Sequence, residues 1–230
     1  MSTILVTGAG RGIGLALVDA FAERGDTVLA TVRDGRSLEA LAAVVARHPD
    51  RIEVHRLEVT EPASIAALAA RLAGRPIDVL INNAGTLGPM RQSTLDMDFE
   101  GWIATFRVNT LAPLAVSQAL LPNLRLGEHP KILTISSGMG SMGSNQSDHV
   151  AYRSSKAAVN KVMQALATDL KGEGIAVSVC HPGWVKTDMG GQDADISPEM
   201  SATGITRIVD HMSLSRSPAF HVWDGGFLSW

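Results

Sequence analysis

Short apolar runs alternate with amphipathic helical segments along nearly the whole chain of 230 residues. Three early runs are Thr3–Val6, Thr27–Val32 and Ile52–Leu57, and a segment with apolar residues at helical spacing follows each of them. Strands that alternate with helices form a parallel sheet, because each helix carries the chain back across one face of the sheet. The alternation therefore predicts an α/β fold in which helices cover both faces of a mostly or wholly parallel sheet.

The first apolar run stops at a glycine-rich turn, Thr7–Gly14, and helical spacing begins at Leu15. Glycines allow a backbone to approach a pyrophosphate closely, and the N-terminus of the following helix offers N–H donors and a positive dipole. A strand, this turn and a helix together favour nucleotide binding over an ordinary connecting turn. The sequence thus predicts a single-domain doubly wound Rossmann fold over residues 1–230, with a sheet of about seven strands.

The end of the second strand bears on the choice of dinucleotide. An acidic residue there would accept hydrogen bonds from a ribose 2′-hydroxyl and repel a 2′-phosphate. Thr31 stands where that acid is expected, whereas Arg33 and Arg11 could both reach a phosphate. The pattern favours NADP(H), and Asp34, one residue beyond Arg33, leaves NAD(H) open.

Tyr152 and Lys156 are four residues apart in a segment that reads as a helix, so both side chains lie on one helix face. A phenol titrates near ~10 in water, and a neighbouring cation favours the phenolate. The pair could therefore act in proton transfer at neutral pH, provided that the lysine lowers the pKa of the tyrosine. By itself the spacing is also that of an ordinary amphipathic helix.

Polar side chains follow further strands. Asn82 and Asn83 end the run Ile77–Ile81, where they form either a simple turn or amide bridges between strands beneath a cofactor. Ser136 and Ser137 end the run Lys131–Ile135 in the same way.

A long helix is predicted to start near Phe99 and to include Asn109. Pro113 has no N–H for the carbonyl four residues earlier, so a kink is expected near Asn109.

Composition excludes several classes of function. A net charge of −3 offers no general attraction for nucleic acid or for an anionic membrane. The seven histidines have no metal-ligand spacing, and Cys180 is the single cysteine, so neither a metal site nor an intrachain disulfide is expected. No signal peptide and no apolar run of membrane-spanning length is evident, and we expect a cytoplasmic protein.

Taken together, these residues resemble the short-chain dehydrogenase/reductase family in its compact single-domain branch. The motifs occur in the family's order: T-G-x-x-x-G-x-G at Thr7 to Gly14, N-N-A-G at Asn82 to Gly85, Asn109, Ser136-Ser137, Y-x-x-x-K at Tyr152 to Lys156, and Pro182-Gly183. The run from Tyr152 to Asn160 and the ending from Asp224 to Trp230 look most like the C-factor-like carbonyl reductases.

The resemblance implies an NAD(P)(H)-dependent oxidoreductase that reduces an aldehyde or ketone to an alcohol. Tyr152 would be the general acid, or the base in the reverse direction, and Ser137 would hydrogen-bond the substrate oxygen. Lys156 would hold the nicotinamide ribose and lower the pKa of Tyr152. Asn109 would anchor a water that links Lys156 to solvent.

The resemblance also implies the residues that contact the cofactor. The expected set beyond Tyr152 and Lys156 is Gly8, Arg11, Gly12, Ile13, Gly14, Arg33, Glu58, Val59, Asn83, Ala84, Gly85, Pro182, Gly183, Val185 and Thr187. Glu58 stands where the family usually has a shorter aspartate that faces the adenine. The interval between Ser137 and Tyr152 is slightly longer than the commonest spacing, which leaves Ser136 and Ser141 as alternatives for the serine role.

The sequence also bears on the substrate pocket, on self-association and on an alternative function. An apolar substrate pocket is expected from Met139, Met142, Trp184, Met189 and Met90. Many relatives associate through the helices that carry Asn109 and Tyr152, which implies a homodimer or homotetramer here. The alternative function is a dinucleotide-binding signalling or regulatory protein of the C-factor type, with slow or incidental turnover.

Overall fold

The computed structural model describes residues 1–143 and 145–230, with all of their side chains except those of Arg36 and Ser37. The strands are β1 (Thr3–Val6), β2 (Thr27–Val32), β3 (Ile52–Arg56), β4 (Val79–Asn82), β5 (Gln92–Ser93), β6 (Asp96–Met97), β7 (Lys131–Ile135), β8 (Ala176–His181) and β9 (Phe220–Val222). The helices are α1 (Gly12–Glu23), α2 (Arg36–Arg47), α3 (Pro62–Arg71), α4 (Phe99–Phe106), α5 (Ala112–Leu124), α6 (Val150–Leu170) and α7 (Pro198–His211).

Seven of these strands form one sheet in the order β3-β2-β1-β4-β7-β8-β9, and all of its pairings are parallel. The chain builds outward from β1 toward β3 and then returns to place β4 on the other side of β1. Ligands of such sheets bind outside the carboxyl ends of the strands at this reversal. The predicted doubly wound parallel fold is therefore confirmed, and it directs attention to the edge where β1 and β4 end.

Two apolar cores lie on the two faces of the sheet, because successive residues of a strand point to opposite sides. Ile4 and Val6 pack with α1, α2 and α7, whereas Leu5 between them packs with α3, α5 and α6. The sheet is thus covered on both faces, which explains why its strands read as continuous apolar runs rather than alternating ones. No helix in the described ranges is both long and apolar enough to cross a membrane.

The helix expected from Phe99 onward is interrupted. After α4, residues Arg107–Leu111 form a π-helical turn, and α5 continues from Ala112. Pro113 lies in the first turn of α5, where the backbone N–H that it lacks would have bonded the carbonyl of Asn109. The predicted irregularity is confirmed, and it takes the form of a π-bulge, a feature that often marks functional sites.

Candidate active site

Tyr152 lies in the first turn of α6, buried against the end of the sheet with 8% of its surface exposed. The backbone N–H of Tyr152 donates to the Gln92 side-chain oxygen at 3.1 Å, which fixes the start of the helix. The Lys156 ammonium lies one turn further along, 5.7 Å from the centroid of the tyrosine ring. The predicted sharing of one helix face is confirmed.

The electrostatics of this pair differ from the expectation. Burial raises the pKa of Tyr152, and a hydrogen bond from Ser137 opposes this rise only in part. Burial also lowers the pKa of Lys156 to about 8, and its ammonium donates to the Ile135 carbonyl oxygen at 2.8 Å. The prediction that the lysine lowers the pKa of the tyrosine is wrong for this form of the protein, because desolvation disfavours the phenolate more than any neighbour favours it.

Ser137 is the serine that reaches the tyrosine. It follows β7, and its hydroxyl accepts the Met139 backbone N–H at 3.2 Å and lies close enough to Tyr152 to oppose the rise in the pKa of that phenol. The second of these bonds caps a short 3₁₀ turn, Gly138–Gly140, that leads away from the sheet. The turn packs tightly on α6, since a Cβ atom added at Gly140 would lie 2.8 Å from the backbone carbonyl carbon of Lys156.

The two alternative serines point elsewhere. The Ser136 hydroxyl is buried and donates to the Asn160 side-chain oxygen at 2.6 Å. The Ser141 hydroxyl donates to the Ser229 carbonyl oxygen at 2.9 Å, on the C-terminal tail. The geometry therefore favours Ser137 over both for contact with a substrate held at Tyr152.

Asn109 lies in the π-helical turn, and its amide connects three parts of the site. Its side-chain oxygen accepts the Thr86 N–H at 2.9 Å, and its nitrogen donates to the Thr86 carbonyl at 2.8 Å and to the Ser155 hydroxyl at 3.0 Å. Ser155 in turn donates to the carbonyl oxygen of Tyr152 at 2.7 Å. The side chain of Asn109 thus connects α6 to Thr86, in the segment that follows β4.

Gly85 lies close to the side chains of Asn109 and Lys156. A Cβ atom added at Gly85 would lie 3.3 Å from the Asn109 side-chain oxygen and 3.7 Å from the Lys156 ammonium. A bulky residue here would therefore press on both side chains.

The glycine-rich turn runs from β1 into α1 and requires its glycines. Gly8 and Gly12 have positive φ angles of 68° and 52°, a region that residues with a Cβ rarely adopt. A Cβ at Gly14 would overlap the carbonyl oxygen of Gly8 and lie 2.5 Å from the Asn83 side-chain nitrogen. Ile13 between them points down into the core. The turn brings the start of α1 to the carboxyl end of β1.

The same turn fits a pyrophosphate. Helix α1 begins after Arg11 with no side-chain cap and no acidic residue in its first turn, so its first N–H groups have no side-chain partner. An anion at this end of the helix would take those hydrogen bonds and interact with the positive end of the helix dipole.

Asn82 and Asn83 tie neighbouring strand ends together, as one of the two readings of the sequence predicted. The Asn82 nitrogen donates to the Ser117 hydroxyl at 3.1 Å. The Asn83 nitrogen donates to the carbonyl oxygens of Thr7 and Gly8 at 2.9 and 3.2 Å. The Thr7 hydroxyl accepts the N–H groups of Asn83 and Ala84, both at 3.0 Å. These bonds hold the glycine-rich turn in place before any ligand binds.

The residues expected at the adenosine end are exposed and paired. Arg33 has 71% of its side chain exposed and lies 3.3 Å from Asp34 and 3.9 Å from Glu58. The other oxygen of Glu58 accepts the N–H and the hydroxyl of Thr60, at 3.1 and 2.8 Å. Arg11 forms an ion pair with Asp188. Exposed pairs of this kind are weak and exchange readily for a phosphate.

Two further residues at that end, Thr31 and Val59, are less exposed than Arg33. Thr31 is fully buried, and its hydroxyl has no hydrogen-bond partner among the described residues. Val59 packs partly against the core below α3.

On the opposite side, the segment after β8 approaches the glycine-rich turn. Gly183 has a positive φ of 88°, and a Cβ there would lie 2.9 Å from the Trp223 indole. Val185 is buried and forms a bridge with Ile196. Thr187 lies next to Gly12, since a Cβ at that glycine would be 3.1 Å from its methyl group.

Pro182 joins this segment to α7, because its carbonyl oxygen accepts the Ser201 hydroxyl at 2.7 Å. Both walls of a cleft over the strand ends are thereby positioned.

Several of the side chains expected to line an apolar pocket are exposed. Met90 is fully exposed and Met142 is 79% exposed, so these two do not enclose a substrate in this form of the protein. Trp184 is half exposed, and its indole N–H donates to the Gly190 carbonyl oxygen at 2.8 Å. The expected apolar pocket is wrong for Met90 and Met142, because their loops place both side chains in solvent.

Gln92 is a site residue that the sequence did not reveal. It is buried in the two-stranded β5–β6 hairpin, and its amide nitrogen donates to the carbonyl oxygens of Leu87 and Pro89 while its oxygen accepts the Tyr152 N–H. A lone glutamine in an irregular stretch carries no motif. Only its tertiary contact with α6 reveals that it positions the tyrosine.

Comparison with known proteins agrees with this geometry. The model of the short chain dehydrogenase family matches residues 2–196. The C-signal of Myxococcus xanthus is 39% identical over 165 residues, which cover 71% of this chain and 99% of that protein. The 1-hydroxy-2-glutathionyl-2-methyl-3-butene dehydrogenase of Rhodococcus sp. strain AD45 is 35% identical over 238 residues, the full length of both chains.

A solved structure shares the complete fold. The NADPH-bound carbonyl reductase from chicken fatty liver superposes with a TM-score of 0.92 at 34% identity, covering 100% of this chain and 99% of that one. On these grounds, the protein belongs to the short chain dehydrogenase family and is an oxidoreductase.

Proposed function

We propose that this protein reduces an aldehyde or ketone to an alcohol with NADPH, using Tyr152 as the proton donor. The observation that carries the proposal is that Tyr152, Ser137 and Lys156 are buried together, with the Ser137 hydroxyl acting on the pKa of the phenol and the Lys156 ammonium 5.7 Å from the centroid of its ring. A substrate oxygen at this point would meet two hydroxyl groups at once. The resemblance to an NADPH-bound carbonyl reductase supports the same chemistry.

Each side chain then has a defined task. Bound NADPH supplies the hydride, and Tyr152 gives its phenolic proton to the oxygen of the carbonyl that becomes the alcohol. Because burial raises its pKa, Tyr152 carries its proton at neutral pH. Ser137 donates a hydrogen bond to the same oxygen while negative charge develops there.

Lys156 and Asn109 complete the proton path in this proposal. Lys156 holds the nicotinamide ribose and carries a proton toward Tyr152, and its lowered pKa of about 8 lets it release that proton near neutral pH. Asn109 keeps the π-helical turn against α6, and its own carbonyl, which Pro113 cannot pair, is available to a relay water.

The cofactor preference rests on Arg33. Its exposed guanidinium lies beside the end of β2, and a 2′-phosphate there would compete with the weak pairs to Asp34 and Glu58. NADH lacks that phosphate, so we expect it to bind more weakly than NADPH. The acids near Arg33 still allow NADH to bind.

An NADPH-oxidation screen over aldehydes, ketones, quinones and diketones tests the proposal. Wild-type protein should oxidise NADPH with at least one class, and Tyr152→Phe should lower turnover by roughly two to four orders of magnitude. Ser137→Ala should lower it by about two orders. Ser141→Ala serves as the matched control, because its hydroxyl lies in the same loop and bonds to the Ser229 carbonyl and the Gly143 N–H rather than to Tyr152.

Normal turnover by Tyr152→Phe on a good substrate would contradict the assigned proton donor. Equal losses in Ser137→Ala and Ser141→Ala would indicate a general effect of the loop rather than contact with the substrate.

A second candidate function is signalling, which the 39% identity to the Myxococcus xanthus C-signal favours. In that case dinucleotide binding would be retained and turnover would be slow with every carbonyl class. Dinucleotide binding by Tyr152→Phe at wild-type affinity, with no measurable turnover by wild-type protein, would favour this alternative.

Self-association is part of the same proposal. Helix α4 and the π-helical turn expose Phe99, Ile103 and Leu111, with 66%, 48% and 58% of their surfaces in solvent. These side chains lie on the elements expected to associate in a dimer or tetramer, and burying them would remove apolar surface from water. Light scattering at micromolar concentration distinguishes a monomer from these assemblies.

A further inference from the structure

A cavity of about 650 Å³ lies between α7, the edge strand β9 and the turn that follows it. Its walls include Met200, Ile208, Trp223 and Phe227, which form a largely apolar surface. The volume falls in the range of small-molecule sites in proteins. None of Ser137, Tyr152 and Lys156 contributes to it, so the cavity is separate from the candidate active site.

Two arginines, Arg207 and Arg216, also line this cavity. Neither forms an ion pair or a side-chain hydrogen bond within residues 1–143 and 145–230. Arg24, by contrast, pairs with Asp210, which lies on α7 as Arg207 does. The single acidic lining residue is Asp224, and one of its oxygens accepts the Gly226 N–H at 3.0 Å. The cavity therefore presents two cations and one anion, and neither cation is paired with that anion.

His221 forms part of the cavity wall, and only 7% of its surface is exposed. Its ring packs against Phe227 with 5.1 Å between centroids, but its nitrogens have no hydrogen-bond partner in the described parts of the chain. An imidazole that lines a cavity and has no partner among the described residues is available to hydrogen-bond a polar group of a ligand.

From this arrangement we propose that the cavity binds an amphipathic anion, a carboxylate on an apolar body. The carboxylate accepts hydrogen bonds from Arg207, Arg216 and His221, and the apolar body lies against Ile208 and Trp223. Arginine suits a carboxylate because its planar guanidinium can donate two parallel hydrogen bonds.

Trp223 connects the cavity to the candidate active site. The same indole that lines the cavity covers the backbone of Gly183, which leaves no room for a side chain there. The carbonyl oxygen of Trp223 also packs against Gly204 of α7. An occupant of the cavity would therefore touch a side chain that borders the cleft without entering it.

Isothermal titration of the full chain with octanoate tests the proposal, and octan-1-ol is the uncharged probe of equal length. We expect one octanoate site per chain and at least tenfold weaker binding of octan-1-ol. Arg207→Gln and Arg216→Gln should each weaken octanoate binding by about tenfold. Arg71→Gln is the matched control, because this exposed arginine on α3 is outside the cavity, and it should leave affinity within about twofold.

Several results would overturn the proposal. These are the absence of octanoate binding, equal affinity for octanoate and octan-1-ol, an equal loss in Arg71→Gln, and binding of inorganic phosphate as tight as that of octanoate. Light scattering is run alongside. A dimer that Arg207→Gln dissociates would show that a second copy of the chain occupies the cavity, which also excludes the small ligand.

Discussion

The Lys156 ammonium lies 5.7 Å from the centroid of the Tyr152 ring, and both groups are buried where α6 meets the sheet. Burial displaces both pKa values toward the neutral forms, upward for the tyrosine and down to about 8 for the lysine. The lysine also donates to the Ile135 carbonyl oxygen. In the absence of a cofactor, the tyrosine is therefore a neutral phenol rather than a phenolate.

Replacing Lys156 should affect both cofactor binding and chemistry. Lys156→Met keeps most of the side-chain volume and removes the charge, so we expect NADPH affinity to fall at least tenfold and turnover to fall by about two orders of magnitude. Lys161→Met is the control, because Lys161 lies on the same helix and is exposed. Fluorescence titration gives the affinity and initial rates give turnover. If Lys156→Met loses turnover but keeps wild-type NADPH affinity, the lysine does not contribute to cofactor binding.

The pKa of Lys156 makes a prediction for stability. Because the pKa of Lys156 is about 8 in the folded protein and 10.5 for an unperturbed lysine, the unfolded chain binds more protons between these values. Stability from this group is present in full above pH 10.5 and is lost as the pH falls through about 8. Relative to Lys156→Met, the wild-type free energy of unfolding should rise by about 3 kcal/mol from pH 7 to pH 10.5.

Urea unfolding of both proteins across that pH range measures the difference, and groups common to both cancel in it. A difference that stays constant with pH would show that Lys156 is not desolvated in the folded protein.

Arg33→Ala should weaken NADPH binding by about tenfold and change NADH affinity by less than about twofold, since only NADPH carries the 2′-phosphate. Arg11→Ala is the companion variant, because Arg11 was predicted for the same phosphate and forms an ion pair with Asp188. Titration with each dinucleotide gives the four affinities. Equal losses for NADPH and NADH in Arg33→Ala would mean that Arg33 does not recognise the phosphate.

Gly140→Ala should disturb the active site, whereas Gly143→Ala should not. A Cβ at Gly140 would lie 2.8 Å from the Cβ of Lys156, but a Cβ at Gly143 would lie 3.6 Å from its nearest neighbour, the Ser141 hydroxyl. The turn that carries Ser137 must therefore move away from α6 in the first variant. We expect a loss of about 1–3 kcal/mol in stability and a lower turnover for Gly140→Ala alone, by urea unfolding and initial rates.

The interruption between α4 and α5 could be predicted from the sequence only in part. Pro113 predicts a kink near Asn109, since proline lacks the N–H that the helix needs there. That the kink is a π-helical turn depends on bonds from Asn109 to Thr86 and Ser155, both distant in the chain. The sequence locates the irregularity, but contacts with α6 and the β4 end set its form.

Several features of this protein follow from the sequence alone. Alternating strands and helices determine the parallel sheet, because a parallel connection must cross one face of it. Glycines at positions such as Gly8 determine the turn, because no other residue readily adopts its backbone angle. Spacing of four residues determines that Tyr152 and Lys156 share a helix face, because 3.6 residues complete one turn.

Tertiary structure decided the rest, because those features arise from groups far apart in sequence. Ser137, rather than Ser136, meets Tyr152 because the chain turns after β7 and presents only one of the two hydroxyls to α6. The pKa of Tyr152 is raised rather than lowered, because the effect of burial outweighs that of Ser137 and burial is set by the packing of the whole domain. Gln92 orients the same tyrosine through a contact that no local pattern encodes.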